Sequence, residues 1–235
     1  MTAPAPRLNG KPDLTGLWQA ERTPDSEFAR VLGDGYSTLQ VDTRDITKNV
    51  ASVFWGMKPD EEPLRPEAAS ILKHRLQNQL ERPITQCLPG GIPLAMLIFT
   101  FKMIQSPQEI VMLPESGDPP RQIYTDGRSL PKDPEPTRWG TQLASGRVIR
   151  WWSKQQASTT GRGSTHSATR SESMRITERY HRRDFGHMDL EITFDDPKYY
   201  TRPFTIKTGV KLIPDSDILE YVCAENEKDR VHLGK

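Results

Sequence analysis

Arg175-Ile-Thr-Glu-Arg-Tyr-His-Arg182, a turn at Asp184-Phe-Gly186, and His187-Met-Asp-Leu-Glu-Ile-Thr-Phe194 form the stretch that decides the fold. Ile176, Glu178 and Tyr180 share one face, while Arg175, Thr177, Arg179 and His181 share the other. Beyond the turn, Met188, Leu190, Ile192 and Phe194 alternate with His187, Asp189, Glu191 and Thr193. A period of two marks strands, and a polar opposite face marks antiparallel strands rather than the doubly buried strands of a parallel α/β sheet.

The pattern extends in both directions. Downstream, Phe204, Ile206, Thr208, Val210 and Leu212 alternate with Thr205, Lys207, Gly209 and Lys211. Asp215-Ser-Asp217 then turns the chain into Ile218–Cys223, read as one more strand. Upstream, Phe99, Phe101 and Met103 oppose Thr100 and Lys102, Gln108–Leu113 reads as the return strand, and Arg121–Asp126 ends at the turn signal Asp126-Gly127. Asp13–Gln19 is expected to be the first strand, its Trp18 indole plugging one end of the core. The expectation is a mainly β protein, an antiparallel lipocalin-like β-barrel, with an open sandwich as the other arrangement. Pro66–Asn78 is the one clear helix, with proline in its first turn, Glu67 at its positive end and an apolar stripe of Ala68, Ile71 and Leu72. Residues 1–13 read as a flexible arm and 14–235 as a single barrel domain; residues 20–63 show no sustained period.

Lys plus Arg number 32 against 31 for Asp plus Glu, so no field of one sign draws the chain to nucleic acid or anionic lipid. The longest apolar run, Ile92–Phe101, is too short to span a bilayer. The first residues lack the apolar segment of a secretory signal, which reads as cytoplasmic for the chain as given, or exported if a leader has been removed. Cys87 and Cys223 either bridge or stay as buried thiols, and cannot form a thiolate zinc site by themselves.

Several stretches resemble an uncharacterised family of bacterial, often exported proteins found in soil acidobacteria. They are Asp13-Leu-Thr-Gly-Leu-Trp18, Cys87-Leu-Pro-Gly-Gly-Ile-Pro93, Arg121-Gln-Ile-Tyr-Thr-Asp-Gly-Arg128, Ser171–Arg179, Asp196–Pro203 and Leu219–Asn226. The Gly16-x-Trp18 opening is similar to that of lipocalin-like barrels. The resemblance implies a fold and no settled activity. Residues 141–170 depart from it: Gly146–Trp152 and Lys154–Arg162 are what a shifted reading frame would give in place of the family's residues. That implies a compensated pair of frameshifts between about residues 143 and 170, and a loop or poorly packed strand there.

The candidate chemistry lies in three places. Tyr124, Asp126 and Arg128, preceded by Arg121, sit at a strand end where a polar rim would form: arginine for an oxyanion, Asp126 as base, Tyr124 as donor. Glu178 shares its face with Ile176 and Tyr180, so an inward face puts a carboxylate in an apolar setting suited to acid–base work, unless it pairs with an arginine such as Arg202. His181 and His187 flank Asp184, with Asp189 beyond; a solvated hairpin tip is preferred there over a metal site. Trp18, Tyr180 and Tyr221 complete the expected lining. No phosphate loop or dinucleotide fingerprint is present, and no cofactor is expected. The serine-hydrolase reading of Ser164, His166 and Ser167 fails for want of a nucleophile elbow. Two functions remain: binding of a small apolar or aromatic molecule in the barrel, with hydrolase or lyase activity as an extension, or a non-catalytic structural or interaction protein with a packed core. A homodimer through Trp151 and Trp152 is a third outcome.

Overall fold

The computed structural model describes residues 3–32, 47–48, 52–78, 87–129, 141–145, 148–152, 171, 174–223 and 225. The strands are β1 (Arg7–Leu8), β2 (Lys11–Pro12), β3 (Gly16–Ala20), β4 (Phe101–Gln105), β5 (Glu109–Pro114), β6 (Arg121–Tyr124), β7 (Thr141–Ser145), β8 (Val148–Trp152), β9 (Arg175–Arg182), β10 (His187–Asp195) and β11 (Phe204–Leu212). Three helices accompany them: α1 (Asp25–Leu32), α2 (Pro66–Gln77) and α3 (Leu94–Leu97). Apart from the small β1–β2 hairpin, the strands form one mainly antiparallel sheet in the order β10-β11-β3-β4-β5-β6-β7-β8-β9. The sheet curls until β9 pairs again with β10.

The β9–β11 meander follows the alternation of its sequence. Met188, Leu190, Ile192 and Phe194 are buried on the inner face, and so are Ile176, Glu178 and Tyr180. The outer face carries polar cross-strand pairs: Thr193 and Thr205 share a hydrogen bond of 2.8 Å, and Lys207 meets Glu191 at 2.7 Å. β3 is inserted between β11 and β4, with Trp18 opposite Phe101 and Leu212.

Three features differ from the expectation, and a fourth, in residues 141–152, selects between its two alternatives. The pairing of β6 with β7 is parallel, with Ile123 opposite Gln142 and Tyr124 opposite Leu143. Residues 141–145 and 148–152 are strands, tied to β9 through β8, in the segment expected to be loop or poorly packed strand. Residues 218–223 are not a strand; Leu219, Tyr221 and Val222 are exposed, because the place beside β11 is taken by β3. The apolar run that was to lead straight into β4 first makes the helical turn α3, whose four residues are all buried.

One continuous core fills the inner side of the sheet. It joins Trp18, Phe101, Met103, Met112 and Ile123 to Tyr180, Ile192, Phe194 and Phe204, and α3 contributes Ala95, Met96 and Leu97 from within. Outside, α1 buries Phe28 against Trp55, with ring centroids 5.0 Å apart. Residues 7–12 of the N-terminal arm form the β1–β2 hairpin, turning at Asn9 and Gly10, both with positive φ. The backbone N–H of Phe185 donates to Ala3, holding that arm to the β9–β10 turn.

Candidate functional site

Arg121, Glu178 and Tyr180 meet inside the sheet. Arg121 and Ile123 are the inward residues of β6, so the guanidinium projects into the core with its apolar neighbour. Its Nη2 donates to both Glu178 oxygens, at 3.1 and 3.0 Å, and the Tyr180 hydroxyl donates to Oε2 at 3.1 Å. Arg121 Nη1 lies 3.3 Å from the Met96 sulfur and 3.4 Å from that of Met112. Both side chains of the ion pair are fully enclosed, at 0% exposure. Burial opposes the Arg121 charge, and the adjacent Glu178 and Tyr180 outweigh it, leaving the pKa above its ordinary value. Burial, reinforced by the Glu178 charge, pushes the Tyr180 phenol well above its ordinary value, so this hydroxyl is a donor and not a base.

The structure therefore brings together Glu178, Tyr180 and Arg121, and separates them from Tyr124, Asp126 and Arg128. Tyr124 faces outward, and the Arg128 guanidinium lies 3.7 Å above its ring. Arg128 also donates to both Asp126 oxygens, which holds the Asp126 carboxyl below its ordinary value. That trio is a surface ion pair stacked on an aromatic ring. Arg202, the suggested partner of Glu178, instead donates to the Glu61 carbonyl at 3.1 Å.

At the β9–β10 tip each imidazole has its own carboxylate. His187 Nδ1 is 2.9 Å from Asp184, and His181 Nδ1 is 3.4 Å from Asp189. Among the described residues no group of three His, Cys, Asp or Glu side chains converges as metal ligands would. Trp18 occupies the end of the core as expected: its Nε1–H donates to the Leu14 carbonyl at 2.9 Å. The Arg182 guanidinium packs 4.9 Å from that indole and binds the carbonyls of Asp13, Asp184 and Phe185. Ser164, His166, Ser167 and the side chains of Trp151 and Trp152 lie outside the described residues.

Among the described residues, a groove and a pocket open to the surface, and neither is lined by Glu178 or the Tyr124 group. A groove of about 550 Å³ runs between the outer face of β9–β11 and residues 21–27, with Arg179, Asp189, Glu191 and Lys207 along its floor. A smaller pocket of about 270 Å³ lies at the opening beside α3, between the loop of residues 87–90 and the last described stretch of chain. A disulfide joins Cys87 to Cys223, with Cα atoms 5.5 Å apart. Tyr221, expected to line the barrel cavity, lines this outer pocket instead; sequence reasoning missed Asp118, whose neighbours Ser116 and Gly117 carry no motif.

Fold and site together define a strand-rich protein whose interior is closed by an ion pair and a buried turn of helix. Searches against protein-family models, curated proteins and solved structures return no match for the chain. None of the helices described is long and apolar enough to cross a membrane.

Proposed function

We propose that the chain is a non-catalytic binding or interaction protein built on a closed, lipocalin-like barrel with a filled core. The observation that carries this is the full enclosure of Glu178. Its two oxygens accept from Arg121 and Tyr180, and Met96 of α3 lies against the same guanidinium. A general acid or base must reach a substrate proton at hydrogen-bond distance, and this carboxylate is enclosed by its own protein. The Cys87–Cys223 bridge supports an oxidising compartment, in keeping with the resemblance to often exported acidobacterial proteins. On this reading ligands meet the outer concavities rather than the barrel interior.

The test is uptake of an apolar fluorescent probe by the purified protein, paired with turnover of activated esters. The expected result is no stoichiometric uptake, and background hydrolysis equal in the wild type and Glu178→Gln. Saturable one-to-one uptake, or turnover abolished by Glu178→Gln in a protein that stays folded, would overturn the proposal.

A further inference from the structure

We infer that the pocket beside the disulfide is a binding site for a small organic ammonium ion. The inference rests on the reading of this protein as a binder, and adds the site and the chemistry. Among the described residues, Asp118 is the one charged residue lining that pocket. Its side chain is enclosed, at 5% exposure for the residue, and it forms no ion pair among the described residues. What holds the carboxylate is a set of dipoles: the backbone N–H of Gly91 donates to Oδ1 at 2.9 Å, that of Gly90 to Oδ2 at 3.3 Å, and the Ser116 hydroxyl to Oδ2 at 2.6 Å. A carboxylate offers about four acceptor positions, so one remains for an incoming N–H. Enclosed charge is normally matched by an opposite charge, and among the described residues none is supplied here.

The rest of the lining suits the organic part of such a cation. Phe99 and Tyr221 line the pocket with ring centroids 5.7 Å apart. Aromatic faces attract ammonium groups through the ring quadrupole. Leu88 and Leu94 give the remaining apolar wall, and the volume of about 270 Å³ admits a single-ring or short branched amine. Tyr221 is 40% exposed, so the pocket opens to solvent. The disulfide fixes this wall, since Cys223 stands two residues from Tyr221 and is bonded to the opposite side of the pocket.

The experiment is calorimetric titration of the oxidised protein with benzylammonium and with benzyl alcohol, its neutral counterpart of the same shape. Benzylammonium is expected to bind one-to-one and at least about tenfold more tightly than the alcohol. Tyr221→Leu and Asp118→Asn are each expected to weaken it about tenfold. Should Asp118→Asn disturb the loop it caps, the wild-type comparison and Tyr221→Leu still decide. Equal affinity for the two compounds, or no benzylammonium binding up to about 10 mM, overturns the site. Neither result bears on the filled barrel, which the apolar-probe experiment tests independently.

Discussion

The Glu178 carboxylate is fully enclosed and forms one half of a buried ion pair with Arg121. Removing one member of a buried ion pair leaves the other uncompensated, whereas replacing both with apolar groups of similar volume is often tolerated. Glu178→Ala should therefore lose about 3–5 kcal/mol in chemical denaturation, and the double change Arg121→Met with Glu178→Leu should recover most of that loss. A pair that contributed through specific chemistry would show the reverse order. Tyr180 adds a pH signature. Its folded pKa is raised above the ordinary value of 10.0, so the unfolded chain gives up the phenolic proton first. The stability this group confers is complete below pH 10 and declines as pH rises above it. Tyr180→Phe should flatten that alkaline decline, while costing about 1–2 kcal/mol at neutral pH for the hydrogen bond that Glu178 loses. At the acid end the sign is opposite. His187 holds Asp184 below its ordinary 3.8, and Lys102 does the same for Asp217. Their contribution is present above that value and is lost as pH falls below it, so Asp184→Asn should make the acid limb of the stability profile shallower.

How much of this pairing was legible at the residue scale follows from the alternation itself. Glu178 could be placed inside because Ile176 and Tyr180 flank it at the strand period. Arg121 carried the same signal, being two residues from Ile123, but it was grouped with Tyr124 and Asp126 as neighbours in sequence. A period of two separates Arg121 from Tyr124 by an odd number of positions and sends them to opposite faces. What no pattern disclosed was that β6 and β9, far apart in the chain, bring their inward charges together.

At the scale of elements, the meander was readable because each of its strands keeps one face polar. The helical turn α3 was not, since Leu94-Ala-Met-Leu97 is apolar throughout and periodicity cannot tell a buried helix from a buried strand. α1 was missed for a different reason: it is eight residues long, so its apolar positions Phe28, Val31 and Leu32 span a single turn, too short to read as a period. The opening of β3 depends on Gly16, whose φ is +148°. A Cβ added there would run into the Leu212 side chain on β11. Gly16→Ala should thus lose about 1–3 kcal/mol from strain and displacement of Leu212, measured by denaturation. Leu97→Ala in α3 should lose about 2–5 kcal/mol, since the space it vacates lies in the middle of the core.

Across the whole molecule, the ladders are unequal. β9, β10 and β11 are registered along almost their full lengths, from Arg175 opposite Asp195 to Lys211 opposite His187. The parallel junction of β6 with β7 rests on Ile123 with Gln142 and Tyr124 with Leu143. Parallel pairing is slightly weaker per residue, and a short ladder opens more readily than a long one. Amide exchange should be fastest, among the sheet strands, at β6 and β7, and slowest at β10, which is paired on both sides throughout. Uniform protection around the sheet would show that the junction is as firm as the meander.

The Cys87–Cys223 bridge also has a mechanical meaning. It closes a covalent ring whose two ends are separated by 136 positions in the chain, and every strand from β4 to β11 lies within it. Tension applied at the two chain ends passes through the sulfurs and bypasses that ring. At about 3.3–3.6 Å per extended residue, roughly 450–490 Å of contour is thereby locked away from a stretching force. In the main sheet the strand left to bear the load is β3, which lies outside the ring but is sandwiched between two strands inside it. Oxidised molecules should yield by stripping β3 from β4 and β11 as a short first extension, and only reduced ones should release the long remainder.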